Sequence, residues 1–368
     1  MLVILYDPDC LLHQTVELLG SKLIPALESP ARLEAILKSL HLSSYDLRLV
    51  QLSVIEDKTW TNRLIEITST THDSVYLQHL RTVYDEWLSA GLIEADGHVL
   101  PECFPFPNST RGPPRVPKDP FARAGYYAFD MSSGIMSESY QAIVASANLA
   151  WEGADMLTGF SAGQTSEPDT VFALCRPPGH HCDGQRAGGY CYINNAALSV
   201  STWRSKYPDS RIGILDIDFH HGNGTQEIFY ADPKVFYVSI HGEDEYPYYT
   251  GAEDEVGVGH GEGFNVNLPL KVSGSIEEYL EKLEYGLKRL VEYNPQFLVV
   301  SLGFDTYHGD PLGSFQIHTE DYAKIAMRTR ESLRDIPALI LLEGGYVIEQ
   351  LGKNVLSFLD GWKSASGA

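Results

Sequence analysis

The sequence lacks the features of membrane proteins and of disulfide-rich secreted proteins. It has no run of about 18 or more apolar residues, so we expect no transmembrane helix. Its five cysteines are odd in number and form no CxxC pair, which favours a reducing, cytoplasmic compartment over a disulfide framework. The N-terminus has a short apolar run without a basic segment, which predicts a first strand and not a signal peptide.

Positive charge is scarce. The 27 lysines and arginines face 49 aspartates and glutamates, giving a formal net charge of −22. A surface this acidic disfavours phosphate backbones and anionic lipids, so we expect neither nucleic acid nor membrane as a partner. Solubility alone explains acidity in many proteins. The segment from Glu243 to Glu255 is more specific, because its six carboxylates lie on both sides of three tyrosines and could attract an amine.

Repeats, low-complexity tracts and flexible linkers are also missing, which predicts a single domain over residues 1–368. Strand and helix patterns alternate from residue 138 onward. They predict an α/β fold with a mainly parallel multi-stranded sheet and helices on both faces. The clearest helix is expected from Ile276 to Tyr293, where apolar residues recur at helical spacing and Ser275 with Glu278 fits a capping box.

Residues 96–123 differ in composition from the rest of the chain, since seven of the 20 prolines fall there. Proline fixes φ and removes a backbone donor, so this segment is predicted to be an extended, semi-rigid loop without a helix. A loop of this length inside a compact domain is usually functional.

Polar residues follow four predicted buried strands at the points where the strands end. The strands are expected at Val171–Cys175, Arg211–Leu215, Phe297–Leu302 and Ala338–Leu342. Open α/β sheets place their active sites at the carboxyl ends of parallel strands. We therefore expect the polar residues after these strands to lie together.

A divalent metal fits part of this set. Asp218, His220 and Asp305 supply three carboxylate or imidazole ligands, the number that a catalytic zinc usually keeps while leaving room for water and substrate. Zinc is the first choice because the ligand types suit a Lewis-acidic ion.

The remaining polar residues can serve hydrolysis at such a metal. His180 and His181 offer bases for a water molecule, and Asp216 and Asn223 are left to orient their imidazoles. Tyr346 follows two glycines and has a hydroxyl that can polarise a carbonyl. Each piece alone is more often structural, but together they indicate metal-assisted hydrolysis.

Four motifs carry a resemblance to a known family, namely Arg176–His181, Gly188–Asn195, Asp216–Gln226 and Glu343–Tyr346. They resemble those of the zinc-dependent deacetylases of the arginase–deacetylase fold. Within that group the chain is most similar to bacterial acetylpolyamine amidohydrolases, which are relatives of histone deacetylases. The similarity runs from Met1 to about Trp362.

The resemblance implies a role for each matching residue. Asp218, His220 and Asp305 match the zinc ligands. His181 matches the general base with Asn223 as its partner, and His180 matches an electrostatic helper or acid with Asp216 as its partner. Tyr346 matches the tyrosine that binds the substrate carbonyl. The predicted tunnel residues are Gly189, Tyr190 and Tyr249.

Structural potassium and a homodimer are also implied by the family. One potassium site would use residues around the zinc motif, and a second would use backbone carbonyls; the two sets are Asp216, Asp218, His220, Ser239 and Ile240, and Phe229, Asp232, Val235 and Phe264. The proline-rich segment 96–123 matches an insertion that contacts the partner subunit and narrows the entrance.

The chain departs from the family at the predicted polyamine end of the tunnel. Two glutamates associated there with the distal amine are replaced by Phe121 and Ser132, and Asp130 lies close enough in sequence to compensate in part. The hydrolase prediction is therefore firmer than the polyamine prediction.

Three classes of function remain open. The first is deacetylation of small N-acetylated amines, and the second is deacetylation of acetyl-lysine in proteins, which uses the same chemistry with a wider entrance. The third is a non-enzymatic acyl binder or a ureohydrolase-like enzyme with two manganese ions. A constricted entrance favours the first class, and the placement of His180, His181 and Tyr346 disfavours the third.

Overall fold

The computed structural model describes residues 1–49, 66, 68–104, 115–159, 168–313 and 315–366. The strands are β1 (Leu2–Tyr6), β2 (Val16–Leu19), β3 (Lys22–Pro25), β4 (Leu47–Leu49), β5 (Thr170–Ala173), β6 (Ile212–Asp216), β7 (Val235–Gly242), β8 (Asn265–Leu270), β9 (Phe297–Leu302) and β10 (Ala338–Leu342). The helices are α1 (Pro30–His41), α2 (Ser74–Ser89), α3 (Pro120–Tyr126), α4 (Ser139–Leu157), α5 (Asn195–Lys206), α6 (Asn223–Phe229), α7 (Ile276–Tyr293), α8 (Thr319–Ser332) and α9 (Ile348–Ala365).

Eight strands form one sheet in the spatial order β4–β1–β5–β10–β9–β6–β7–β8. All neighbouring pairs in it are parallel, as predicted. Every residue of β5, β6, β9 and β10 is buried, because helices pack around a sheet whose central strands are apolar on both sides. Strands β2 and β3 form a separate antiparallel hairpin.

The helix predicted from Ile276 to Tyr293 has those bounds in α7. Its capping box is present: the backbone N–H of Glu278 donates to the Ser275 hydroxyl, and the backbone N–H of Ser275 donates to the Glu278 carboxylate. The left-handed backbone of Asn294 (φ 54°) ends the helix.

The prediction for the proline-rich segment was wrong at its C-terminal end, because residues 120–123 begin helix α3. Pro120 occupies the first turn, where its missing N–H would have no intrahelical partner, and the Asp119 carboxylate accepts the backbone N–H of Ala122. Residues 105–114, with four of the segment's prolines, lie outside the described residues.

All five cysteines are free thiols, in agreement with the absence of a disulfide framework. In the described part of the chain, no helix has the length and apolar character needed to cross a membrane.

Candidate metal-dependent active site

Strands β5, β10, β9 and β6 are consecutive neighbours in the sheet. Each is followed directly by one of the four polar segments identified in the sequence. Their carboxyl ends therefore deliver the tandem histidines, the tyrosine and the aspartates to one place, as expected for a parallel sheet.

Asp218, His220 and Asp305 form the one group of at least three metal-binding side chains found among the described residues. One ligand atom from each lies within 4.8 Å of the others. Nδ1 of His220 is 2.9 Å from Oδ2 of Asp305 and 3.3 Å from Oδ1 of Asp218. All three residues are buried.

Backbone and carbonyl groups orient these ligands. The N–H of Phe219 donates to Oδ1 of Asp305 at 2.9 Å, and the N–H of Gly344 donates to Oδ2 of Asp218 at 2.8 Å. Nε2 of His220 lies 3.0 Å from the carbonyl oxygen of Leu312, so this nitrogen carries the proton and the Nδ1 lone pair faces the carboxylates.

The electrostatics of the three residues fit a cation. Burial and the adjacent Asp218 carboxylate raise the pKa of Asp305 to about 7. Two carboxylates enclosed this closely repel each other, which favours an additional proton or a metal ion between them. With one imidazole and two carboxylates, the donor set suits zinc.

The two adjacent histidines have different partners. Nδ1 of His180 lies 3.1 Å from Oδ2 of Asp216, and Nδ1 of His181 lies 2.8 Å from Oδ1 of Asn223. The two ring centroids are 4.0 Å apart, and both side chains are buried.

These partners give the two imidazoles opposite charge preferences. Burial by itself lowers the pKa of His180, but the carboxylates of Asp216, Asp218 and Glu343 outweigh it and raise the pKa to about 10. The pKa of His181 is well below its usual value because of burial and because of the neighbouring imidazoles of His180 and His220. His181 is thus the neutral imidazole that can accept a proton.

Tyr346 is held by its own backbone and by the glycines before it. Its N–H donates to Oδ2 of Asp310 at 2.7 Å. A Cβ on Gly344 would lie 2.3 Å from Oδ2 of Asp305, and Gly345 has φ +120°, so neither position accepts a side chain readily. Burial raises the pKa of Tyr346 well above its usual value, which keeps the hydroxyl protonated as a donor.

A buried arginine that sequence analysis missed supports this turn. Nε of Arg32 donates to the carbonyl oxygen of Gly345 at 2.7 Å, and its guanidinium lies 5.0 Å from the ring centroid of Tyr346. Glu28 pairs with both Arg32 (2.8 Å) and Arg176 (2.9 Å). Arg32 belongs to α1, 313 residues before Gly345, so no local signal in the sequence points to the contact.

Gly189 and Tyr190 border the histidines and Tyr346. A Cβ on Gly189, which has φ +56°, would lie 2.3 Å from Cδ2 of His181. The ring of Tyr190 is 6.0 Å from that of Tyr346, and its hydroxyl donates to Glu17 at 2.8 Å.

The structure brings Tyr246, and not Tyr249, to the histidines. The ring of Tyr246 is half-buried and lies edge-on to His181 at 4.9 Å and to His220 at 5.8 Å. Tyr249 is 64% exposed and belongs to the outer part of the acidic segment. Several tyrosines lie within four residues of one another, so the spacing alone could not identify the inward one.

Asp130 is hydrogen-bonded to both Tyr246 and Gly189. Its Oδ2 accepts hydrogen bonds from the Tyr246 hydroxyl at 2.6 Å and from the N–H of Gly189 at 3.2 Å. The Ser132 hydroxyl lies 2.9 Å from both Asp130 oxygens. Phe121 packs against Trp87 with ring centroids 5.7 Å apart.

The residues predicted for potassium are close in the fold but engaged in other bonds. Asp216 and Ser239 are register partners on β6 and β7. For the second set, the carbonyls of Phe229, Asp232 and Phe264 accept backbone N–H groups at 2.9, 3.2 and 2.9 Å. A carbonyl oxygen has a second lone pair, so these bonds are compatible with ion binding.

A buried metal triad, two oriented histidines and a tyrosine donor at the carboxyl edge of a parallel sheet define the class of metal-dependent hydrolases. The chain belongs to the histone deacetylase family, because the model of the histone deacetylase domain matches residues 26–362.

The chain is similar to several curated proteins over nearly its full length. It is 36% identical to acetylpolyamine amidohydrolase 1 of Pseudomonas aeruginosa, over 98% of this chain and 99% of that protein. It is 35% identical to the acetylpolyamine amidohydrolase of Mycoplana ramosa, with the same coverage. The crystal structure of acetylpolyamine aminohydrolase from Burkholderia pseudomallei covers 99% of both chains with a TM-score of 0.85 and 32% identity. The predicted fold and enzyme class are confirmed.

Proposed function

We propose that this enzyme removes the acetyl group from acetylated polyamines or related small N-acyl amines, using one zinc ion per chain. The observation that carries the proposal is the pair of differently oriented histidines beside the Asp218, His220 and Asp305 triad. The names of the similar proteins support the substrate class.

Asp218, His220 and Asp305 would hold the metal. A bound zinc supplies a Lewis acid for the amide carbonyl and lowers the pKa of water. One ligand atom of each residue lies within 4.8 Å of the others, and the Leu312 carbonyl fixes the ring of His220.

His181 acts as the general base in this proposal. Its Nδ1 is fixed by Asn223, so Nε2 is the atom that takes a proton from the attacking water and later returns it to the leaving amine. His180 remains protonated beside Asp216 and stabilises negative charge that develops on the substrate.

Tyr346 donates a hydrogen bond to the acetamide carbonyl oxygen. The interaction strengthens as that oxygen gains negative charge, so it lowers the barrier more than it tightens ground-state binding. Tyr190, Gly189 and Tyr246 surround the approach to the histidines, which suits a linear alkyl-amide stem.

Further parts of the proposal concern ions, assembly and location. Potassium ions would have a structural role at the two predicted sites, one around Asp216 and Ser239 and the other around Phe229 and Phe264. The proline-rich segment 96–123 would contact a second subunit, and the free thiols support a cytoplasmic location. Light scattering at micromolar concentration tests the homodimer, and a monomer would contradict it.

A kinetic panel tests the substrate. Acetylputrescine, acetylspermidine, acetylcadaverine and an acetyl-lysine peptide are compared by kcat/KM on zinc-loaded enzyme. We expect turnover of the acetylated amines with weak discrimination among them and slower turnover of the peptide. A peptide preferred about tenfold or more, a gap of roughly 1.4 kcal/mol, would replace the small-molecule proposal by protein deacetylation.

A further inference from the structure

Glu343 is a buried carboxylate that adds to the negative field on His180, but the proposed chemistry leaves its hydrogen bonds without a role. It follows β10 directly and is 0% exposed. Its Oε2 accepts hydrogen bonds from two consecutive backbone groups, the N–H of Gly179 at 2.8 Å and the N–H of His180 at 3.3 Å. Oε1 is buried without a hydrogen-bond partner among the described residues.

The turn before the histidines depends on this one acceptor. Pro177 and Pro178 have no N–H, so the first two backbone donors after them are those of Gly179 and His180. Both donate to Glu343. The turn is also tightly packed, because a Cβ on Gly179 would lie 2.6 Å from the backbone nitrogen of Asn195.

Glu343 itself belongs to a segment that is fixed on several sides. The N–H of Gly344 donates to Asp218 at 2.8 Å, and the N–H of Tyr346 donates to Asp310 at 2.7 Å. The Arg32 guanidinium donates to the carbonyl oxygens of Glu343 and Gly345. The side chain of Glu343 therefore connects two turns. One turn carries Tyr346 and contacts the metal-ligand candidate Asp218, and the other carries the tandem histidines.

We propose that Glu343 is a positioning residue for the tandem histidines and that its main part there is that of a hydrogen-bond acceptor. Its charge is the lesser influence on His180, because Asp216 and Asp218 act on that imidazole more strongly. By holding two successive N–H groups, it fixes where the His180 and His181 rings meet Asp216 and Asn223. The catalytic consequence rests on the proposed deacetylase function, whereas the geometric consequence does not.

Two conservative substitutions separate the acceptor from the charge. Glu343→Gln keeps a side-chain oxygen at the same reach and removes the negative charge. Glu343→Asp keeps the charge and withdraws the oxygens by about one carbon–carbon bond, roughly 1.5 Å. Ser301→Ala is the control, because Ser301 is buried on β9 and its hydroxyl has no hydrogen-bond partner among the described residues.

With zinc content matched, we expect kcat of Glu343→Gln within about threefold of the unsubstituted enzyme. We expect kcat of Glu343→Asp to fall on the order of 10², with KM little changed, since a misplacement of about 1 Å costs this much. A loss of tenfold or more in Glu343→Gln, or full turnover in Glu343→Asp, overturns the proposal.

A measurement without catalysis distinguishes failure of this proposal from failure of the proposed function. In protein labelled with ¹⁵N-histidine, proton NMR detects the imidazole N–H groups bonded to Asp216 and Asn223. We expect these signals unchanged in Glu343→Gln and Ser301→Ala, and shifted or broadened in Glu343→Asp. Altered signals in Glu343→Gln overturn the proposal. This holds even if the Glu343→Asp protein does not fold or if the enzyme turns over none of the substrates.

Discussion

Nδ1 of His181 lies 2.8 Å from the side-chain oxygen of Asn223, a neutral partner, whereas the adjacent histidine has a carboxylate partner. A neutral amide fixes the orientation of His181 without favouring its protonated form. His181 is then unprotonated at neutral pH, because its pKa is lowered, and its Nε2 is free to accept a proton.

Replacing this neutral partner should change the pH dependence of catalysis. Asn223→Asp places a negative charge beside His181, which favours the imidazolium and typically raises such a pKa by 1–3 units. We expect the acid limb of the kcat/KM profile to move to higher pH. The profile is measured at matched zinc content, with the unsubstituted enzyme alongside, and an acid limb that stays in place argues against His181 as the base.

Removing the base or the oxyanion donor should lower the rate directly. His181→Ala and Tyr346→Phe are each expected to reduce kcat on the order of 10²–10⁴ while the fold stays intact. Steady-state kinetics with circular dichroism and zinc analysis test both. Near-normal turnover in either variant would rule out the role assigned to that residue.

The metal prediction concerns stoichiometry. We expect one zinc per chain in the purified enzyme and strong loss of both zinc and activity in Asp218→Ala, because that substitution removes one of three ligands. Asp209→Asn, at an exposed carboxylate that pairs with Lys234, is the control. Elemental analysis decides, and full zinc content in Asp218→Ala would contradict the assignment.

Tyr246 and Tyr249 offer a matched pair for testing which tyrosine lines the approach to the histidines. Tyr246→Ala removes a half-buried ring that contacts His181, and we expect KM for a small acetylated amine to rise tenfold or more, since burying an aromatic side chain contributes about 1.5–3 kcal/mol. Tyr249→Ala should change KM little, because that ring is largely exposed. The reverse ranking would favour the assignment made from sequence.

The sequence predicted those parts of the site that are set by strand ends. Asp218, His220 and Asp305 follow apolar runs whose burial and parallel pairing are dictated by composition, so their convergence was predictable. The starts of two helices show that local sequence signals differ in reliability. The capping box correctly predicted α7, whereas the high proline content of residues 96–123 led to the prediction of a loop where Pro120 begins α3.

Contacts between segments that are distant in sequence could not be predicted. The pairing of Arg32 with the Gly345 carbonyl spans 313 residues, and the choice of Tyr246 over Tyr249 depends on how the acidic segment folds back on His181. Neither follows from periodicity or spacing, because both depend on tertiary packing.

A last prediction concerns stability in acid. His79 on α2 is buried, packs on Tyr127 at 4.8 Å and has no partner for Nδ1 among the described residues. Burial and the nearby Arg123 lower its pKa to about 3. The unfolded chain, with an ordinary histidine pKa near 6.5, therefore binds a proton below that pH that the folded protein does not, and stability is lost as pH falls from about 6.5 towards 3.

His79→Phe removes this proton and keeps a flat ring against Tyr127. The loss of unfolding free energy between pH 7.5 and pH 5 should become smaller by about 2 kcal/mol, because a pKa gap costs about 1.4 kcal/mol for each pH unit below 6.5. Urea denaturation at both pH values measures it, with His41→Phe, at an exposed position on α1, as the control. An identical pH dependence in His79→Phe and the unsubstituted protein would mean that His79 is protonated in the folded state or exposed to water, and it would rule out a buried neutral histidine at this position.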